Sequence, residues 1–192
     1  NNNGAYQLND ILTEAHSSGF YYKPRIDNEL LFSLEPDNFI VTSACVAGIW
    51  DNPELLLMLH KHFKNNFFLE VQSHNMLLQR KVNAKMLNFG KETGIKRIHA
   101  NDSHYIYPED SKYRDIFLRG NDLNYDNENQ MILDYPDPDQ IFYRYKQQKV
   151  FNEDQVKELL ENTLVFDDCS DITIINDDIK LPIVSDNPSA EL

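Results

Sequence analysis

Apolar positions recur along the first hundred residues in two alternating rhythms. Leu8, Ile11, Leu12 and Ala15 fall at helical spacing, so the stretch from Tyr6 to about Gly19 is predicted as a helix stopped by the glycine. A short helix is expected around 28–34, and the run Phe39–Cys45 has the unbroken apolar character of a buried strand, ended by Gly48. Asn52-Pro53-Glu54 supplies a cap, a first-turn proline and a first-turn acid, opening a helix whose apolar face is Leu55, Leu56, Leu59 and Phe63. Phe67–Gln72 is a second strand. A helix from about Met76 to Thr93 carries Leu78, Val82, Met86 and Phe89 along one side and closes at Gly94. Ile95–Asp102 is the third strand. Three strands interleaved with two helices predict β/α units around a parallel sheet or barrel.

Beyond residue 120 the rhythm fades. Residues 121–149, rich in Asp, Asn, Pro, Tyr and Gln, are expected to form a long acidic connection. A last helix is predicted from near Asn152, with Gln155 at the capping-box position and Val156, Leu159, Leu160 and Leu164 inward, before a tail through Leu181-Pro182-Ile183. The chain therefore divides into an α/β part, 1–120, and a connection, helix and tail, 121–192. Its 192 residues suit one domain that needs no disulfide to build a core. Cys45 and Cys169, far apart, make no disulfide framework and suit a reducing cytoplasm. With 31 acidic residues against 18 basic ones, the net charge of −13 opposes autonomous DNA binding. No apolar run approaches the ~20 residues of a membrane span.

Candidate chemistry gathers where the strands end. Side chains at i and i+2 share a face, so Asp102 pairs with His104 after the third strand, Glu70 and Gln72 with His74 after the second, and Cys45 closes the first. In parallel β/α architectures these ends share one rim, where sites form, and sulfur, carboxylate and imidazole are the ligands zinc and related ions take. Each residue also has an ordinary structural use: Cys45 as a small core residue, Asp-Ser-His as a turn, Glu70 and His74 as partners of each other or of the backbone. His60-Lys61-His62 lies on a predicted helix, where i and i+2 diverge, and is expected on a solvated face. The acidic clusters 134–139, 167–171 and 177–178 are expected as solvated loops or caps. Tyr21, Tyr22, Lys23 and Arg25 suit either an aromatic core edge with cations reaching to water or a grip on a nucleotide strand.

At these residues the chain resembles the PHP (polymerase and histidinol phosphatase) domain of bacterial DNA polymerase III alpha subunits. The resemblance rests on Gly19-Phe20-Tyr21-Tyr22-Lys23-Pro24-Arg25-Ile26-Asp27, on Thr42-Ser43-Ala44-Cys45-Val46-Ala47-Gly48, and on Phe68–His74 with Gln79 and Asn83 following. Asn101-Asp102-Ser103-His104-Tyr105 and the stretch from Glu161 to Cys169 extend it. It implies a distorted seven-stranded β/α barrel of a C-family replicative polymerase, bacterial or phage, whose rim in many members holds about three zinc or manganese ions. With those ions the family domain hydrolyses DNA 3′ ends; other members keep it as scaffold.

By match, Cys45, Asp102 and His104 stand on family ligand positions, with Glu70 and His74 near the site; Tyr22, Lys23 and Arg25, read from their aromatic and basic chemistry and not from the match, are the DNA-binding candidates. The family's opening His-x-His strand and its other early ligands have no counterpart, and Ile49 stands where many members have an acid. The resemblance thus implies the later two-thirds of such a domain, inactive by itself, with a metal site whose other wall lies in the remainder of the polymerase. An incomplete barrel leaves strand edges open, which also suggests a homodimer. The rival readings are a metal-free scaffold, a stand-alone phosphoesterase of the same superfamily and, more remotely, an acidic DNA mimic.

Overall fold

The computed structural model describes residues 1–123, 125 and 131–169. Helix α1 (Asn2–Ser17) begins at Asn1, whose side chain accepts from the Gly4 amide, and buries Ile11 and Ala15. It starts four residues earlier than its apolar spacing suggests, and Leu8 and Leu12 stay outside. A Cβ on Gly4 would sit 2.4 Å from the Asn38 carbonyl oxygen, so glycine there lets the helix approach the 3-10 turn Pro36–Asn38. The single-turn helix α2 (Asn28–Leu31) follows, capped by Asp27.

Strand β1 is only Val41–Thr42, much shorter than the apolar run around it. Ala44 takes a positive φ of 61°, which turns the chain out of the ladder. Ser43 extends the pairing by one step: its amide donates to Phe68 O and its hydroxyl accepts from the Glu70 amide. Helix α3 (Pro53–Phe63) has the expected Asn52 cap and buries Leu56, Leu59 and Phe63. Strand β2 (Phe67–Gln72) is where its sequence placed it. Helix α4 (Leu77–Thr93) ends at Gly94, whose φ of +76° is the left-handed cap that glycine adopts without steric cost. Strand β3 (Arg97–Ala100) completes a parallel sheet of order β1-β2-β3. Among the described residues the molecule is mixed α/β, and this small sheet is not closed into a barrel.

Two helices lie beyond the sheet where none was expected. Helix α5 (Ser111–Gly120) follows the turn Pro108–Asp110, and α6 (Pro138–Gln148) stands inside the supposed acidic connection. Asp137 caps α6, Pro138 fills its first position and Gln140 completes a capping box. Helix α7 (Glu153–Glu161) begins with the predicted Asn152–Gln155 box and buries Val156 and Leu159. It stops before Leu164, which is exposed rather than inward. The residues of α6 and α7 share one apolar core with α3, α4 and the odd-numbered face of β2: Leu56, Phe63, Leu69, Val71, Met86, Ile141, Tyr145, Val156 and Leu159.

Two further expectations give way. His62 is half-buried and not on a fully solvated face: its ring stands between those of Phe32 and Phe63, and Nε2 lies 2.8 Å from Leu34 O. Asp134 is not part of a solvated acidic loop but is buried, both its oxygens 2.7 Å from an Arg144 nitrogen. The cluster 177–178, part of 167–171 and the Leu181-Pro182-Ile183 tail lie outside the described residues.

Candidate functional site

The carboxyl ends of β2 and β3 carry the polar residues that the alternation assigns to them. On the even-numbered face, Glu70 accepts from Thr42 Oγ1 at 2.7 Å and from Gln72 Nε2 at 3.0 Å. The register sets Glu70 beside Ile98 and Gln72 beside Ala100, so both project to the same side as the end of β3. Past β3, Asp102 Oδ1 and His104 Nε2 are 3.2 Å apart, each side chain nearly two-fifths exposed. They form the open part of the site.

Their loop is pinned by a second segment. The amides of His104 and Tyr105 both donate to Leu133 O, Ser103 Oγ donates to Asp134 O, and the Tyr135 amide donates to Ile106 O. His74, also at this end, accepts the Ile132 amide on Nδ1 at 3.2 Å, while its Nε2 is buried with no hydrogen-bond partner. Burial lowers the His74 pKa, the charge of Arg144 adding to this and those of Asp102 and Asp134 opposing it. His74 is therefore a neutral ring under the rim, close enough to Asp102 to feel its charge.

Beneath the rim runs a buried polar seam. Past the last β1 pair, Gln72 O accepts from Asn83 Nδ2 (2.8 Å) and Gln148 Nε2 (2.9 Å), and Gln148 Nε2 also reaches His74 O. Asn83 donates to Gln148 Oε1 as well and accepts from Gln79 Nε2. On the odd-numbered face His99 lies between the Tyr145 hydroxyl (2.8 Å) and Asn101 Oδ1 (2.9 Å), and burial drives its pKa down to about 4. Tyr145, wholly buried, has its pKa raised by burial and by the charge of Glu70. Of these, sequence reasoning singled out only Gln79, Asn83 and Gln72. His99 sits within a predicted strand, and Tyr145 and Gln148 lay in the stretch taken for a connection.

The structure thus brings Asp102 and His104 together, seats His74 behind them and ties Glu70 to Thr42 and Gln72. Cys45 lies half-buried in the turn after Ala44, a free thiol. Among the described residues no three His, Cys, Asp or Glu side chains are grouped so as to hold a metal ion. Tyr21, Tyr22 and Arg25 are exposed, not a core edge: Tyr21 and Lys23 form a one-residue bridge, and the Arg25 guanidinium lies 5.2 Å over the Tyr21 ring. No helix among the described residues is long and apolar enough to cross a membrane.

These features define an α/β unit with a polar rim at the carboxyl ends of a parallel sheet, and its relatives are replicative proteins. The chain is similar to DNA polymerase III subunit alpha of Borreliella burgdorferi, 30% identical over 200 residues, covering 94% of this chain and 17% of that protein. It is also similar to the DNA polymerase III alpha subunits of Treponema pallidum (34% over 131 residues, 62% of this chain) and Thermus aquaticus (30% over 127 residues, 60% of this chain). It is thus related to a segment of DNA polymerase III alpha subunits and spans 10–17% of the length of these relatives. No family model matches the chain.

Proposed function

We propose that the chain is a portion of the PHP domain of a replicative DNA polymerase III alpha subunit. In this reading Cys45, Asp102 and His104 contribute one wall of a divalent-metal site that the rest of the polymerase completes. The observation that carries it is the Asp102–His104 pair, exposed and 3.2 Å apart just past the carboxyl end of a parallel strand. A carboxylate oxygen and an imidazole nitrogen suit zinc or manganese, and two donors with open positions fit a shared site rather than a closed one. When bound, such an ion supplies Lewis acidity to a phosphodiester, the chemistry of a 3′–5′ exonuclease. The role of the chain's own residues is to orient. Thr42 and Gln72 fix the Glu70 carboxylate, and His74 stays neutral and anchored to the Ile132 amide.

A second reading, a metal-free scaffold of the polymerase, is favoured by the lack of a three-donor group among the described residues. Metal analysis separates the two. Zinc or manganese should bind weakly to this chain and stoichiometrically once a polypeptide carrying the relatives' preceding segment is joined to it, and Asp102→Ala or His104→Ala should reduce the content. Cobalt substitution should give a thiolate charge-transfer band that Cys45→Ser removes. Negligible metal in both forms leaves the scaffold reading standing.

A further inference from the structure

Helix α5 buries none of its residues. Ser111, Arg114 and Leu118, at helical spacing, are its half-buried side, which turns Tyr113, Ile116 and Phe117 outward, each 60–67% exposed. The line they form ends one turn further on at Gly120, also exposed. Gly120 is not left-handed, and among the described residues a Cβ there would meet nothing within 4 Å. Neither backbone conformation nor packing within the described chain therefore calls for glycine at this place; it leaves a bare notch in a face otherwise built of large side chains.

Charges flank the line. On one side Asp110 accepts the Tyr107 amide and the Arg114 guanidinium lies 6.0 Å from the Tyr125 centroid. On the other, Lys112 Nζ is 4.9 Å from the Tyr113 centroid, and Asp115 and Arg119 are exposed one turn apart. Neither Asp115 nor Arg119 forms an ion pair among the described residues. One open acid and one open base thus share an edge of the helix.

Such a face is complementary to itself. About a two-fold axis residue i of one copy meets residue j of the other and j meets i, so two antiparallel copies of α5 pair residues whose numbers have a constant sum. With Ile116 against the partner's Phe117, the same register sets Tyr113 over the partner's Gly120, so that each ring fills the other copy's notch. The axis also brings like edges together. Asp115 then falls within one residue of the partner's Arg119, and the pair occurs twice. An aromatic and aliphatic centre with charges at its rim is the composition of a protein–protein contact.

We infer that α5 is a self-association surface, through which two copies of the chain pair by antiparallel α5 helices about a two-fold axis at Ile116 and Phe117. The contact is made by a helix and not by an open strand edge. It goes beyond the reading of the chain as part of a polymerase and uses none of the rim residues. The helix has ten residues and each copy carries a net charge of −13, so the dimer is weak and forms only at high chain concentration.

The test is sedimentation equilibrium of the full chain in EDTA, from low micromolar to near-millimolar concentration, over which the mass should rise from one chain toward two. Phe117→Ala and Gly120→Gln should each weaken association about tenfold or more, the effect of losing a central contact. Gly120→Gln should do so without loss of thermal stability, since glutamine is the better helix former. Arg119→Asp and Asp115→Arg should each remain single chains, the first with two acids at the pairing positions and the second with two bases. Mixed in equal amounts, these two variants should form a heterodimer, because every acid then meets a base. That restoration keeps the test free of any folding defect in a single variant. The inference is overturned by a dimer that Phe117→Ala and Gly120→Gln leave intact, or by failure of the two charge variants to pair. A single-chain mass at every concentration also overturns it and leaves the stripe to a different partner. Because EDTA is present throughout, failure of the metal reading leaves these outcomes unaffected.

Discussion

Two regions flank the carboxyl ends of β2 and β3, and they depart from ordinary side-chain placement in opposite directions. Beneath the rim, Asn83, Gln148, Gln79, His99 and Asp134 are buried polar groups. Across the rim, Tyr113, Ile116, Phe117 and Ile106 are apolar groups in water. The buried set is almost fully engaged: Asn83 makes three hydrogen bonds and Gln148 three, and Asp134 has its arginine. Such a network holds its elements in one arrangement, because each member left unpaired would cost its full desolvation. The outer set has no such closure within the described residues. Comparing the two assigns stability to the polar seam and leaves the apolar stripe of α5 outside the core that the described residues build.

The comparison breaks first at the buried ion pair. Arg144→Ala leaves the Asp134 carboxylate charged in a buried site, and urea unfolding should show a loss of about 3–5 kcal/mol. Replacing both partners, Asp134→Leu with Arg144→Met, should recover most of it, since the penalty is the orphaned charge and not the lost attraction.

Next is His99. Its folded pKa of about 4 lies below the 6.5 of an unfolded histidine, so the unfolded chain binds more protons as pH falls. The contribution is fully present above pH 6.5 and is lost as pH falls toward 4, about 3 kcal/mol across that interval. His74, lowered by the same burial, acts in the same direction. Stability against pH for His99→Gln should be flatter over this window than for the unmodified chain. Equal slopes would show that His99 is not held neutral. A smaller loss, about 2–3 kcal/mol, is expected for Gln148→Ala, which strips one donor from Gln72 O and the side-chain donor from His74 O. Hydrogen exchange at the end of β2 should accelerate with it.

How far the sequence disclosed this arrangement follows from which signals are local. Strand β2, the glycine stop of α4 and the capping box of α7 are written in adjacent residues, and they stand where the pattern put them. Helix α6 was hidden because its inward positions are Ile141, Tyr145 and Gln148, so a polar side chain occupies one of three core-facing turns and blurs the apolar period. Helix α5 gives an apolar stripe that faces away from the body, which no core argument would seek. The pairing of Asp102 with His104 was legible from an i, i+2 spacing, whereas the burial of Asp134 and the half-burial of His62 depend on Arg144 and on Phe32 and Leu34, partners 10 to 30 residues away in sequence. Strand β1 was overextended because nothing in Ala44 announces a left-handed conformation.

That residue gives a gain instead of a loss. At φ 61° an alanine pays for its Cβ, about 1–2 kcal/mol, part of which glycine returns as greater freedom in the unfolded chain. Ala44→Gly should therefore stabilise the protein by about 0.5–1 kcal/mol and leave the Ser43 hydrogen bonds to β2 intact. Destabilisation would mean that the surrounding turn holds the left-handed conformation at little cost to alanine, so that only the extra freedom of glycine in the unfolded chain counts.

The smallest expected effect is the one that sharpens the comparison most. Phe117→Ala removes a large apolar side chain, and at a core position such as Phe63 that change costs about 3–5 kcal/mol. On α5 the ring is 63% exposed, alanine is the better helix former, and the helix rests on its Ser111–Arg114–Leu118 side. Unfolding free energy should consequently move by less than about 0.5 kcal/mol, the range of an ordinary surface substitution. Should Phe117→Ala instead unfold the chain like a core truncation, α5 must bury that ring in solution, and its apolar stripe belongs to the fold and not to a contact between copies.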